Sequence, residues 1–162
     1  MASILQSHGL PVVVMGDVVR NEAAARGIRP TLENMRELMI RLREEKGDAA
    51  VAELCISIIG GIGSRAVVVD GIRSLVEVRR FQSYAPLSLI GVFSPQLLRF
   101  KRLRERRRSD APKSPADLDR RDMTEIEVGV GAAFALADYM LVNDGTVDKL
   151  EAALRTILPR IR

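Results

Sequence analysis

The sequence predicts an α/β fold in which a parallel sheet is flanked by helices. Three observations predict it. Residues 10–15 (LPVVVM) and 66–70 (AVVVD) are short β-branched runs without alternation, as expected of strands covered on both faces. Segments of helical period separate these runs, which points to parallel strands joined by crossover helices. Finally, Asp17, Asp70, Ser94 and Asn143 fall where the strands end, the place where open parallel sheets bind ligands.

Taken in order, the first strand runs over residues 10–15 and ends at Gly16-Asp17. Between Pro30 and Lys46 the apolar residues Leu32, Met35, Leu38, Met39 and Leu42 keep helical spacing, with Thr31 as N-cap and Gly47 as the stop. A second helix opened by Asp48 extends to about Ile59. Gly60, Gly61 and Gly63 form a loop into the second strand, residues 66–70, and a helix over residues 74–83 follows. Pro86 introduces the third strand, residues 87–93, and Ser94-Pro95 opens a basic helix reaching about residue 110 with a cap and a first-turn proline. Ser114-Pro115 begins another helix, residues 138–142 form a fourth strand, and Val147, Leu150, Leu154, Ile157, Leu158 and Ile161 give a closing amphipathic helix.

A length of 162 residues fits one domain, residues 1–162, with one apolar core. No apolar run approaches the ~20 residues that span a bilayer, and the N-terminus MASILQSHG has no secretory pattern. The expected location is the cytoplasm. Cys55, flanked by Leu54 and Ile56, reads as core, and the single His8 argues against zinc. Tryptophan is absent and Asn plus Gln total six, a balance found in heat-adapted proteins. The net charge of +4 is concentrated: residues 99–108 (RFKRLRERRR) carry +6. A patch of that kind attracts phosphates, on a small nucleotide or along a nucleic-acid backbone.

Asp70, at the end of AVVVD, has the placement that orients a hydrated magnesium in P-loop proteins; it equally fits a residue capping the turn through Gly71. Asp17 and Arg20 lie one helical turn apart, suited to orienting an acceptor hydroxyl and gripping a phosphate, or to a plain surface ion pair. Arg99, Arg102 and Arg106 share one face of the basic helix. They fit a clamp on a transferring phosphoryl group, a solvated charge run, or a nucleic-acid contact. With only Phe100 interleaved among the arginines, the stacking platform of a single-strand binder is missing.

Four blocks, MGDVVR at 15–20, VVVDGIRS at 67–74, SPQLLRFKRLRERRRSD at 94–110 and ADYMLVNDGTVDKL at 137–150, resemble an archaeal family of P-loop kinase-like proteins related to dephospho-coenzyme A kinases and nucleoside monophosphate kinases. The resemblance covers nearly the whole chain. It implies a sheet wrapped as in adenylate kinase, a lid-like arginine helix, ATP with Mg2+, and a small-molecule phosphoryl acceptor. By the same resemblance Asp17 and Arg20 face the acceptor and Asp70 the magnesium. Arg99, Arg102 and Arg106 face the phosphates, and Asn143 with Gly145 the base.

One departure stands out. Members of that family begin with an apolar strand and a GxxxxGK(S/T) loop whose backbone N–H groups cradle phosphates. No segment of these 162 residues has that form; GGIGSR at 60–65 precedes a strand instead of following one. Residues 1–7 (MASILQS) read as the later part of the helix that follows such a loop. The expectation is therefore a chain lacking about 15 residues of strand and loop, inactive in phosphotransfer as it stands. The absent strand would lie mid-sheet, between those ending at Asp70 and Phe93, so the expectation is either a sequence that starts late or a sheet completed some other way, for instance by a partner chain in a homo-oligomer. Two other function classes compete with the kinase reading: a nucleic-acid-binding module using the basic helix, and a non-catalytic interaction protein with a kinase fold.

Overall fold

The β-branched runs do form strands, each shorter than the sequence implies. In the computed structural model, which describes residues 1–106 and 111–161, β1 (Val12–Val14) pairs in parallel with β2 (Val68–Asp70), placing Val14 opposite Asp70. Likewise β3 (Ile90–Phe93) pairs in parallel with β4 (Tyr139–Val142), placing Phe93 opposite Val142. The described residues thus hold two two-stranded sheets. Parallel pairing follows from the helical crossovers, since a tight hairpin cannot return a strand in the same direction. Each strand keeps one edge with no strand partner among the described residues. The chain divides into two compact units, Ala2–Ile72 with Val76–Pro86, and Arg73–Leu75 with Leu87–Arg162.

In the first unit, α1 (Ala2–Ser7), α2 (Met15–Ala25), α3 (Leu32–Lys46), α4 (Ala50–Gly60) and α5 (Leu75–Tyr84) accompany β1 and β2. Met15 opens α2 instead of extending β1, so Asp17 and Arg20 ride on the first turns of a helix. Helix α3 begins and ends as its sequence requires. Thr31 Oγ1 accepts from Asn34 N at 3.2 Å, and Gly47 stops the helix at φ +82°, a conformation that side-chain-bearing residues rarely adopt. Asp48 does not cap α4, which starts at Ala50 without a side-chain cap. The core gathers where α2, α3 and α4 meet: Ala23, Leu42, Ala50, Ala52 and Cys55 are fully buried, and Leu38 nearly so. Small residues on α2 and α4 let the helices approach closely, and each fully buried leucine contributes roughly 1.5–3 kcal/mol.

In the second unit, α6 (Gln96–Glu105), α7 (Pro115–Val128), α8 (Val130–Ala135) and α9 (Val147–Ile157) accompany β3 and β4. The basic helix ends at Glu105, five residues short of the expected boundary, and Arg107 and Arg108 lie outside the described residues. Ser94 does not cap it; the N-cap is Pro95, and the serine hydroxyl is used elsewhere. Ser114, by contrast, forms a full capping box with Asp117 at the start of α7. That hydrogen bond holds the Asp117 carboxyl below its ordinary range. Helix α8, which the sequence reading passed over, begins directly after Gly129, whose φ of +113° ends α7. Helix α9 stops at Ile157 because Pro159 cannot continue it, and a single 3-10 turn, Leu158–Arg160, follows.

Candidate functional site

In the first unit, three of the sequence-predicted residues stand at or just beyond the carboxyl ends of the strands. Asp70 is the last residue of β2 and is exposed. Gly71 follows at φ +102°, a conformation that side-chain-bearing residues rarely adopt, so the turn after Asp70 favours glycine. Asp17 lies in the first turn of α2, where a carboxylate also complements the helix dipole. Arg20 Nε donates to Asp17 Oδ1 at 3.1 Å, and its Nη2 engages the same oxygen. The guanidinium lies back over Gly16, whose added Cβ would meet it at 3.6 Å. Both side chains remain partly exposed, so the pair adds little stability, about 0–1 kcal/mol. A partly hydrated carboxylate beside a guanidinium is available to a polar ligand.

The second unit holds a tighter arrangement at the carboxyl ends of β3 and β4. Ser94 Oγ, one residue past β3, donates to the Asn143 carbonyl at 2.8 Å, one residue past β4. Arg102 reaches the same place from α6. Its Nη1 donates to the Asn143 carbonyl at 2.9 Å and contacts Ser94 Oγ at 3.3 Å, and its Nη2 donates to the Gly145 carbonyl at 2.7 Å. One guanidinium thus fixes the 143–145 turn to the helix. Asp144 is held ionised, below its usual range, by the Lys149 ammonium at 2.8 Å. A side chain at position 145 would press on Lys149 Cδ at 2.8 Å and disturb that pair. Beside the turn, Phe93 and Val142 occupy paired register positions on one sheet face and are half exposed.

The arginines of α6 do not act as one set. Arg99 turns to α7, where Nη1 and Nη2 donate to the two oxygens of Asp122 at 3.1 and 2.6 Å. Gln96, one turn earlier, donates to Asp119 at 2.7 Å and to Asp122 at 3.1 Å. Arg106 is exposed just past the last turn. Arg104 lies over the Phe100 ring, 5.6 Å from its centre. Cys55 is fully buried, and burial pushes its thiol up to about 11, so it is an inert core residue.

Sequence reasoning found Asp17, Arg20, Asp70, Arg99, Arg102, Arg106, Asn143 and Gly145 as candidates but gave Ser94 and Asp122 no place in the polar geometry. The signal for Asp122 is in the spacing: Gln96 and Arg99 are three apart, and so are Asp119 and Asp122. Two helices whose complementary groups repeat at that interval can be joined rung by rung. For Ser94 no comparable signal exists, because its acceptor is a backbone carbonyl 49 residues away. Among the described residues no three metal-ligating side chains cluster. No described helix is long and apolar enough to cross a membrane.

Comparison with known proteins adds an independent finding. A family model described as an AAA domain matches residues 1–119. A UPF0200 protein of Hyperthermus butylicus is 43% identical over 161 residues, covering 99% of this chain and 87% of the relative. The UPF0200 protein of Thermococcus kodakarensis is 40% identical over 161 residues, with 96% and 87% covered. That of Methanocaldococcus jannaschii is 40% identical over 160 residues, with 98% and 81% covered.

Proposed function

The chain belongs to the P-loop kinase-like AAA domain family and to the archaeal UPF0200 family, and from that premise we propose a small-molecule phosphotransferase of the nucleotide and dephospho-coenzyme A kinase type. The observation that carries this reading is the knot of Ser94, Arg102, Asn143 and Gly145 at the carboxyl ends of β3 and β4. A parallel sheet offers its ligand site at that end. There the turn is held open-faced and flanked by half-exposed Phe93 and Val142, a setting suited to an adenine base beside Asn143 and Gly145. Arg99, Arg102 and Arg106 supply positive charge for the phosphates.

In the other unit the partly exposed Asp17–Arg20 pair suits the phosphoryl acceptor: the carboxylate orients a hydroxyl and the guanidinium holds an anionic group. Asp70 is the residue that would hold Mg2+. This ion takes one or two carboxylates and completes its shell with water and substrate phosphates. Magnesium would neutralise charge on the transferring phosphate.

The proposal includes a requirement for a GxxxxGK(S/T) loop, which these 162 residues do not contain. Among the described residues each sheet has only two strands, which supports it, because a two-stranded sheet is marginal until a further strand joins. MgATP titrated by calorimetry tests the reading. The 162 residues alone are expected to bind at least about 10-fold more weakly than the same residues preceded by a strand and GxxxxGK(S/T) loop, since backbone amides and the lysine of that loop hold the phosphates. Equal affinity of the two forms would place the phosphate site elsewhere.

A further inference from the structure

We propose that Asp122 acts as an internal anion that occupies Arg99 in the ligand-free protein, so that α6 offers this guanidinium to a polyphosphate only when the pair opens. The inference rests on the reading of α6 as a phosphate-contacting helix and adds a regulatory contact to it. The pair is bidentate, with Arg99 Nη1 and Nη2 on Asp122 Oδ1 and Oδ2 at 3.1 and 2.6 Å. A carboxylate and a phosphate satisfy a guanidinium fork in the same way. Gln96 Nε2 steadies the carboxylate from the side at 3.1 Å. Asp122 keeps only 16% of its side chain in solvent and Arg99 38%.

A second observation distinguishes this pair from an ordinary surface bridge. Arg99 Nε is buried and has no hydrogen-bond acceptor. The carboxylate spans Nη1 and Nη2, which leaves the covered Nε–H without an acceptor. A polyphosphate carries enough oxygens to fill both edges, whereas the two oxygens of Asp122 are committed to one. The ligand-free pair therefore leaves Arg99 incompletely satisfied, and a richer anion has a donor to gain. Exchange is also favoured by charge: Lys101, Arg102, Arg104 and Arg106 stand on the same helix and its end, so a multiply charged anion gains more there than one carboxylate does.

The test uses sodium tripolyphosphate as the probe, titrated at fixed ionic strength into the 162-residue chain. Asp122→Asn is expected to bind it about 10-fold more tightly than the unaltered chain, a modest coupling between competing anions. Asp119→Asn removes the same charge one turn away and is expected to change affinity by less than about 3-fold. Adding Arg99→Ala to Asp122→Asn is expected to abolish the gain. If Asp122→Asn binds no tighter than Asp119→Asn, the proposal is overturned; loss of binding in Arg99→Ala alone would then leave the phosphate reading of α6 standing. If Arg99→Ala has no effect in either background, that reading falls as well. Thermal melts check that each variant folds. Should Asp122→Asn fail to fold, the Arg99 Nε–H resonance in the unaltered chain decides: it is expected to move on adding tripolyphosphate, and an unmoved resonance refutes the exchange.

Discussion

The unit built on β1 and β2 takes Leu42, Ala52 and Cys55 out of solvent entirely and leaves Ile40, Ile58, Val76 and Tyr84 between 43% and 48% exposed. The unit built on β3 and β4 leaves Phe93, Leu97, Leu136, Met140, Val142 and Val147 half exposed or more, and buries few residues as fully as Leu154. The first unit joins its helices by the Arg26–Glu45 and Arg80–Glu53 pairs, whereas in the second the polar links also reach the strand ends. Arg102 joins α6 to the 143–145 turn, Arg99 and Gln96 join α6 to α7, and Asp138 Oδ2 accepts from Leu89 N at 2.7 Å beside β3 and β4. Apolar burial is non-directional and fixes a unit whatever ligand is present. Polar links are directional and exchangeable, so a charged ligand can replace one partner with another. The second unit carries such links at the carboxyl ends of its strands.

Substitutions test this contrast. Leu42→Ala empties the packed centre of the first unit and is expected to cost about 2–5 kcal/mol, read as a lowered urea midpoint. A loss below about 1 kcal/mol would mean that the α2–α4 packing is loose and the contrast false. Arg102→Ala removes one guanidinium's bonds to two backbone carbonyls near the surface and is expected to cost less, about 1–3 kcal/mol. Arg102→Lys is expected to recover only part of this, since an ammonium cannot span both carbonyls as the fork does. Full recovery would show that charge alone, rather than the paired geometry, holds the turn.

The same contrast explains what the sequence disclosed. Strands and helices driven by apolar pattern were legible: α3 lies between Thr31 and Gly47 as expected, and α9 follows its leucines. Ser114-Pro115 was legible because a capping box is local. Capping by Ser94 and Asp48 was misread, since a hydroxyl or carboxylate before a helix also has distant choices, and Ser94 takes the Asn143 carbonyl. Helix α8 was missed because six residues, VGAAFA, carry too little period. The arginines of α6 were readable as a charged face, but their separate destinations depend on long-range contacts that no local spacing on α6 alone encodes. Membership of the family was legible from four blocks taken together, and the AAA domain match over residues 1–119 agrees with it.

The central claim, that the turn after β4 and helix α6 receive the nucleotide, is tested most directly by backbone amide chemical shifts. They are recorded with and without MgATP on the chain preceded by a strand and GxxxxGK(S/T) loop. The largest changes in the two described units are expected at Ser94, Arg102 and Asn143 to Gly145, with Leu38, Leu42 and Cys55 nearly unmoved. Saturating MgATP that leaves residues 143–145 unshifted, or that moves the α3 and α4 amides most, would contradict the account.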